Sequence, residues 1–328
     1  MRTARCLVLL LIAGCGGAPP APSVPAPVAA APKPAPDLAA AAPLDERAPV
    51  VRMLVPGTAP RKRMRYQLVA NTIEYIELDM RMTIGTRFDD PTFAERKTNV
   101  AIPTLRTTFK TTVTEVTPSG DARLAFEHVS TELLQDVALA PGPRKAVEAA
   151  LAELAGMRGT SRVSSRGVPS EITFEAPNAT ANLARVIDSF RDSMRQMYVP
   201  LPEDEVGKGA KWEVTARHAI NGMMMDSKLV YELTEASSTT LAVRVETELA
   251  ASPQDIPLAP GTTGRITALS GKGTGTLRQP MTRVVGTGTN AVTTDAELTV
   301  NDGKQTLLAT MHMDVVIGMR PGKPPGRP

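Results

Sequence analysis

The chain of 328 residues carries a formal net charge of +3, 3% aromatic residues and one Trp. So small a charge excludes counter-ion-driven nucleic-acid binding, and so few rings exclude a base-stacking platform. Its two cysteines, Cys6 and Cys15, stand near the start, so everything after them lacks disulfides, thiolate metal sites and cysteine nucleophiles.

The N-terminus has the layout of a secretory signal. Arg2 and Arg5 precede an uncharged apolar run, Leu7 to Ile12, and the small residues Ala13 and Gly14 lead to Cys15. The run is shorter than the roughly 20 apolar residues a bilayer span requires. The tetrad Ile12-Ala13-Gly14-Cys15 resembles a bacterial lipobox. That resemblance implies cleavage after residue 14, a diacylglycerol on the Cys15 thiol and a further acyl chain, such as palmitate, on its amine. Two or more chains make an anchor close to permanent. Gly16 in place of Asp implies, by the sorting rule of enteric bacteria, the outer membrane facing the periplasm. Ala18 to Val50 holds 10 Pro and 12 Ala and cannot bury a core. Residues 15–50 are therefore expected to form an extended linker, reaching at most on the order of 100 Å.

Residues 51–320 are expected to fold, with 321–328 as a disordered tail. At the entrance, Arg61-Lys62-Arg63-Met64-Arg65 reads as a solvated domain edge, with anionic headgroups or cell-wall phosphates as the functional alternative. Met64 to Val69 and Ile73 to Ile84 have strand composition. Thr104 to Val116, a turn at Thr117-Pro118-Ser119-Gly120-Asp121 and Ala122 to Thr131 read as a hairpin. Two helices follow. In Pro143 to Leu154, Val147, Ala150, Leu151 and Leu154 keep helical spacing. In Thr180 to Tyr198, Leu183, Val186, Ile187, Phe190, Met194, Met197 and Tyr198 form one stripe. A short hairpin, Arg162 to Ser165 with Glu171 to Glu175, lies between them. Further strands are expected at Trp212 to His218, Met223 to Leu233, Thr240 to Leu249, Arg265 to Leu269, Gly273 to Leu277, Val292 to Val300 and Gln305 to Gly318. Asn301-Asp302-Gly303 marks the last turn.

These elements predict an α+β protein, mainly antiparallel β. Its sheets are expected to be large and curved, or partly closed into a half-barrel, with two amphipathic helices in the middle. Thr114-Glu115 before one turn and Thr234-Glu235 before another form an internal echo. It predicts two related halves, 61–175 and 200–318, joined by helix 180–198.

The chemical motifs are few. His128, His218 and His312 fall in different strands without the short-spaced partner a zinc site needs, so no metal is expected. His312, between Met311 and Met313, alternates away from both, toward solvent or a partner. Gly-x-Ser-x-Gly does not occur. Gly271 to Thr276 lacks the P-loop ending. Gly286 to Ala291 matches a dinucleotide fingerprint in letters only, because a strand follows it and not a helix. Both glycine stretches read as bends in curved strands. Met223-Met224-Met225 reads as core, and Glu203-Asp204-Glu205 as solvated.

The most distinctive stretch is Leu201-Pro202, then Val206-Gly207-Lys208-Gly209, then Trp212. It resembles a Leu-Pro…Val-Gly-x-Gly-x-x-Trp stretch found in a broad group of uncharacterised bacterial envelope proteins. The resemblance implies an architecture and no chemistry. A curved sheet crossed by helices is similar, by fold analogy alone, to the periplasmic lipoprotein carriers.

The expectation is a non-enzymatic envelope lipoprotein without cofactor, held on the membrane by Cys15 and binding an envelope protein or the cell wall. The alternative is a carrier or sensor of an apolar ligand or lipid, lined by Leu183, Val186, Ile187, Phe190 and Met194 against the sheet. An enzyme with an unrecognised site is the third reading.

Overall fold

The computed structural model describes residues 47–89, 98–177, 180, 197–220, 223–257, 262–301 and 305–324. The chain enters on β1 (Arg47–Val55), followed by β2 (Ile73–Phe88), β3 (Thr98–Val116) and β4 (Ala122–Leu133). Helix α1 (Pro141–Ala152), β5 (Arg158–Val163) and β6 (Pro169–Glu175) come next. Then come β7 (Lys211–Ile220), β8 (Met223–Ala236), β9 (Thr240–Ala251) and β10 (Gln254–Pro257). The last three are β11 (Thr263–Pro280), β12 (Thr287–Asn301) and β13 (Thr306–Pro321).

All strands belong to one antiparallel sheet, in the order β1-β7-β8-β9-β11-β12-β13-β2-β3-β4-β5-β6, with β10 beside β11. This overturns the α+β expectation with two amphipathic helices: the described chain is nearly all antiparallel β, with a single helix. The physical reason is that the hairpins share edges. Each one pairs with the next, and β13 pairs with β2 from Ala309↔Phe88 to Pro321↔Ile76, so separate sheets merge into one. α1 starts close to the predicted Pro143, packs lightly against β4 and makes no layer. The second predicted helix falls on residues 181–196, outside the described residues. Met197 and Tyr198, assigned to its last turn, are non-helical and buried.

The predicted strand at Met64 to Val69 is irregular chain. Met64, Tyr66 and Leu68 point into the core from a segment that seals one end of the sheet together with residues 197–206. The two segments meet at the Lys62↔Val206 bridge. The Tyr66 N–H donates to Ser165 O at 2.8 Å, and the Leu201 N–H to Arg166 O at 2.8 Å. Trp212 anchors this plug: it is fully buried, stacks on Tyr231 at 5.6 Å and donates its indole N–H to Pro200 O at 2.7 Å. Glu74 is the plug's buried charge, its side chain 3% exposed. It accepts from the N–H groups of Val284 and Val285 and from Arg283 Nε, at 3.0, 3.2 and 3.3 Å.

The predicted strands at Arg265 to Leu269 and Gly273 to Leu277 are one strand, β11. Its glycines act as expected of a bend. A Cβ on Gly273 would stand 2.5 Å from Ala291 O, and one on Gly275 2.5 Å from Thr289 O, so β11 and β12 approach closer than side chains permit. The first four residues of β1, 47–50, fall in the stretch assigned to the linker.

The internal echo has a structural counterpart. β3 and β8 each carry a bulge, between Val113 and Glu115 and between Leu233 and Glu235. At each bulge a threonine hydroxyl donates across the hairpin, Thr114 to Arg123 O at 3.1 Å and Thr234 to Ala242 O at 3.0 Å. Just before it, the Asn71 and Gly209 N–H groups donate to Val113 O and Leu233 O, both from positive φ, 65° and 77°.

Replacing Glu74 by Ala strands the donors of Val284, Val285 and Arg283, and is expected to cost about 3 kcal/mol in urea unfolding. Glu203→Ala, which removes an exposed carboxylate, is expected to cost under about 1 kcal/mol. Gly273→Val, which forces a side chain against β12, is expected to cost about 1–3 kcal/mol in the same assay.

Candidate functional site

Directly paired residues share a face of the sheet, so rows can be followed strand by strand. One row on the packed face runs Trp212, Tyr231, Val245, Gly275, Asn290, Ile317, Met80 and Leu105. The next runs Val214, Leu229, Thr247, Gly273, Val292, Val315, Met82 and Ile102. Burial changes along each row at the β11 glycines. On the β7–β9 side Trp212, Tyr231 and Val245 are 0%, 5% and 7% exposed. On the other side Met80, Met82, Leu105, Ile102, Val292 and Val315 are only half-buried, and Ile317 is 37% exposed. A wall of methionine and branched aliphatic side chains is therefore half open. Methionine adapts to varied apolar shapes, which makes this wall a candidate ligand surface.

The opposite, open face is laced with cross-strand ion pairs. Arg106 grips Asp79 with two bonds of 2.8 Å, and Arg320 reaches the same carboxylate at 2.8 Å. Donation by Arg106, aided by Arg320, holds the Asp79 carboxyl down to about 2. Further along this face an open hollow of about 710 Å³ crosses β11, β12, β13 and β2. His312 stands in it, paired with Asp295 on one side and Gly85 on the other. Gly85 brings no side chain, which leaves room beside the imidazole. Nδ1 lies 2.7 Å from Asp295 Oδ1 and Nε2 3.5 Å from Asp314 Oδ2. Thr293 Oγ1 donates to Asp314 Oδ1 at 2.6 Å. The Asp295 bond, reinforced by the Asp314 charge, raises the His312 pKa above its ordinary value. Carboxylates thus face both ring nitrogens, the nearer one on Nδ1. The hollow is equipped for recognition of polar or cationic groups.

The lipobox residues Ile12, Ala13, Gly14 and Cys15 lie outside the described residues. So do Leu183, Val186, Ile187, Phe190 and Met194. The three histidines stay apart. His128 is half-buried, bonded to Thr131 at 2.8 Å and edge-on to Phe109, and burial lowers its pKa. His218 is buried on the packed face, and His312 is on the open one. Among the described residues no group of His, Asp and Glu has metal-holding geometry. Met225 is buried core, with Met223 packed beside it. Glu203 is not merely solvated: it bridges Arg166 at 2.7 Å and Arg65 at 3.0 Å. Arg61 and Lys62 of the basic run likewise bond backbone carbonyls, those of Gly57 and Ser237.

Sequence reasoning missed the methionine wall. The signal was there as two-residue alternation, Met80-x-Met82-x-Ile84 and Met311-x-Met313-x-Val315-x-Ile317. The partnership of Asp295 with His312 depends on register and had no local signal.

Residues 186–279 match the model of a family described as "Family of unknown function (DUF6263)". The match takes in Leu201 to Trp212 and the strands β7 to β10, with nearly all of β11. No curated protein matches. Solved structures similar in part include a mutant of the Rh. blastica porin, at 7% identity and TM-score 0.21, over 76% of this chain and all of that one. Another is a loop-deletion mutant of OmpT, an outer membrane protein of Vibrio cholerae, at 7% identity and TM-score 0.20, over 77% of this chain and all of that one. Scores this low carry no argument.

In an NMR titration His312 is expected to titrate above about 6.5, and Asp295→Asn to bring it back down. The folded value lies above the unfolded one. The pair's small stabilisation is therefore full below about pH 6.5 and lost as pH rises through the folded value.

Proposed function

We propose that this protein is a lipid-anchored, non-enzymatic binding protein of the bacterial envelope, whose curled sheet holds an apolar ligand. The Ile12-Ala13-Gly14-Cys15 tetrad supports the anchor, and Gly16 favours the outer membrane. The observation that carries the binding reading is the change of burial along single rows of the packed face. Trp212, Tyr231 and Val245 are buried, while Ile317 in the same row is 37% exposed. Water against so much apolar surface is unfavourable, and a hydrophobic ligand relieves it.

A second reading, contact with an envelope protein or the cell wall, draws on the open-face hollow. Its support is the Asp295–His312–Asp314 cluster, with the space left at Gly85.

The test begins with the N-terminal peptide of protein isolated from bacterial membranes. Mass spectrometry is expected to find it starting at Cys15 with diacylglycerol attached, and Cys15→Ala to abolish the modification. Residues 16–328, secreted behind a conventional signal, are then weighed under native conditions. An apolar mass that leaves on organic extraction, and that Met82→Glu removes while Asp295→Asn does not, is the expected result. A clean apo mass would sink the apolar-ligand reading and favour the hollow.

A further inference from the structure

We propose that the occupant of the half-open wall is the protein's own Cys15-linked acyl chain, taken up when no membrane is available to it. This rests on the lipid-anchor and apolar-ligand readings above and names their ligand.

The argument is where the tether meets the sheet. β1 begins at Arg47, opposite Arg217 of β7. The next residue of β7, His218, pairs with Met225. Met225 belongs to the small apolar cluster against which Met311 packs. The linker therefore joins the sheet at the end remote from the plug, and Met311 opens the methionine run of β13. From there the run Met311, Met313, Val315, Ile317 spans roughly 20 Å at about 3.3 Å per residue. That is room for a long acyl chain laid along the strand.

Reach is not limiting. A Pro-rich segment from Cys15 to Arg47 extends at most on the order of 100 Å, and a more compact one spans a few tens of ångströms. Either can return an acyl chain along the wall. Tethering makes that return intramolecular, at an effective concentration of order millimolar. A free lipid in the aqueous space has no such advantage. The wall is also chemically matched: it offers methionine, valine and isoleucine and no charge, whereas the other face carries Arg, Glu and Asp. A bilayer, which takes all the chains together, outcompetes the wall. The wall thus holds the chain only between membranes.

The experiment uses the full-length lipidated protein, made in cells fed a photo-reactive fatty acid and isolated with detergent that is then removed. After irradiation, cross-linked peptides are mapped by mass spectrometry. Half of the protein carries heavy isotopes, so links within one chain are distinguished from links between copies. The expected result is cross-links within one chain to the peptides of Met80, Met82, Met313 or Ile317, reduced at least several-fold by Val315→Glu. Asp295→Asn on the other face is expected to leave them unchanged. Links only between copies, only to the linker, or to the open face would overturn the proposal while leaving the lipid anchor standing. A Cys15 peptide without acyl mass would remove the anchor reading and the proposal with it. Labelled free lipid on the wall, with the protein's own chain elsewhere, would keep the apolar-ligand reading and reject self-occupancy.

Discussion

The structure depends on one constraint: among the described residues, a very long sheet with one apolar face has no layer of helices over it and must cover that face itself. A flat sheet of such strands would leave Trp212, Tyr231, Leu229 and their row neighbours against water. Each large side chain buried contributes about 1.5–3 kcal/mol, so the incentive to curl is large. What permits the curl is the removal of side chains where strands crowd. At Gly273 and Gly275 the β12 backbone comes within a distance no Cβ tolerates. The plug then completes the cover at one end, and Trp212 joins it to the sheet by stacking on Tyr231 and bonding Pro200 O.

The same device is used in both halves of the sheet. An irregular segment ends in a positive-φ residue, Asn71 or Gly209. Its N–H bonds the residue before a bulge, and a threonine in the bulge bonds back across the hairpin. A bulge sharpens local twist and bends the strand. Placed at the plug end of both β3 and β8, the bulges turn both hairpins where the core is densest. The halves are contiguous blocks of strands, β2 to β6 and β7 to β13, and the β13–β2 pairing fuses them. That pairing is held on the open face by Arg320, which bonds Asp79 and Glu77 of β2.

Much of this could be read from residues in order, because strands and turns are local. Ile73 to Ile84, Ala122 to Thr131 and Trp212 to His218 fall inside observed strands, and the Thr-Glu echo marked the two bulges. The errors came from non-local pairing. Met64 to Val69 has strand composition, but its Tyr66 and Gln67 N–H groups bond Ser165 O and Met281 O in different segments and not one neighbouring strand, so it packs as irregular chain. β1 contains Pro49 and abuts a Pro/Ala tract, so its own letters favoured linker, and the β7 edge makes it a strand. Glycine inside β11 split one strand into two on propensity, whereas the curl requires glycine there. At the site level, the exposure of His312 followed from alternation, but its carboxylates came from β12 register and from its own strand two residues on.

The two faces ask different things of the same strands. The open face is satisfied within itself: Asp79 has its arginines, Glu232 has Lys211 and Arg244, and His312 has its aspartates. Such cross-strand pairs keep both signs of charge interspersed on this face. On the packed face, the rows of Trp212 and Val214 are fully covered only on the β7–β9 side of the glycines. Filling the remaining wall with larger side chains would stabilise the sheet, in the way that cavity filling does generally. The chain instead places methionine at Met80, Met82, Met311 and Met313, the apolar residue that defines shape least. A face built for stability alone has no use for that choice. A face that must accept and release an apolar chain does, and the strand that receives the tether, β1, enters the sheet from the same end as Met311.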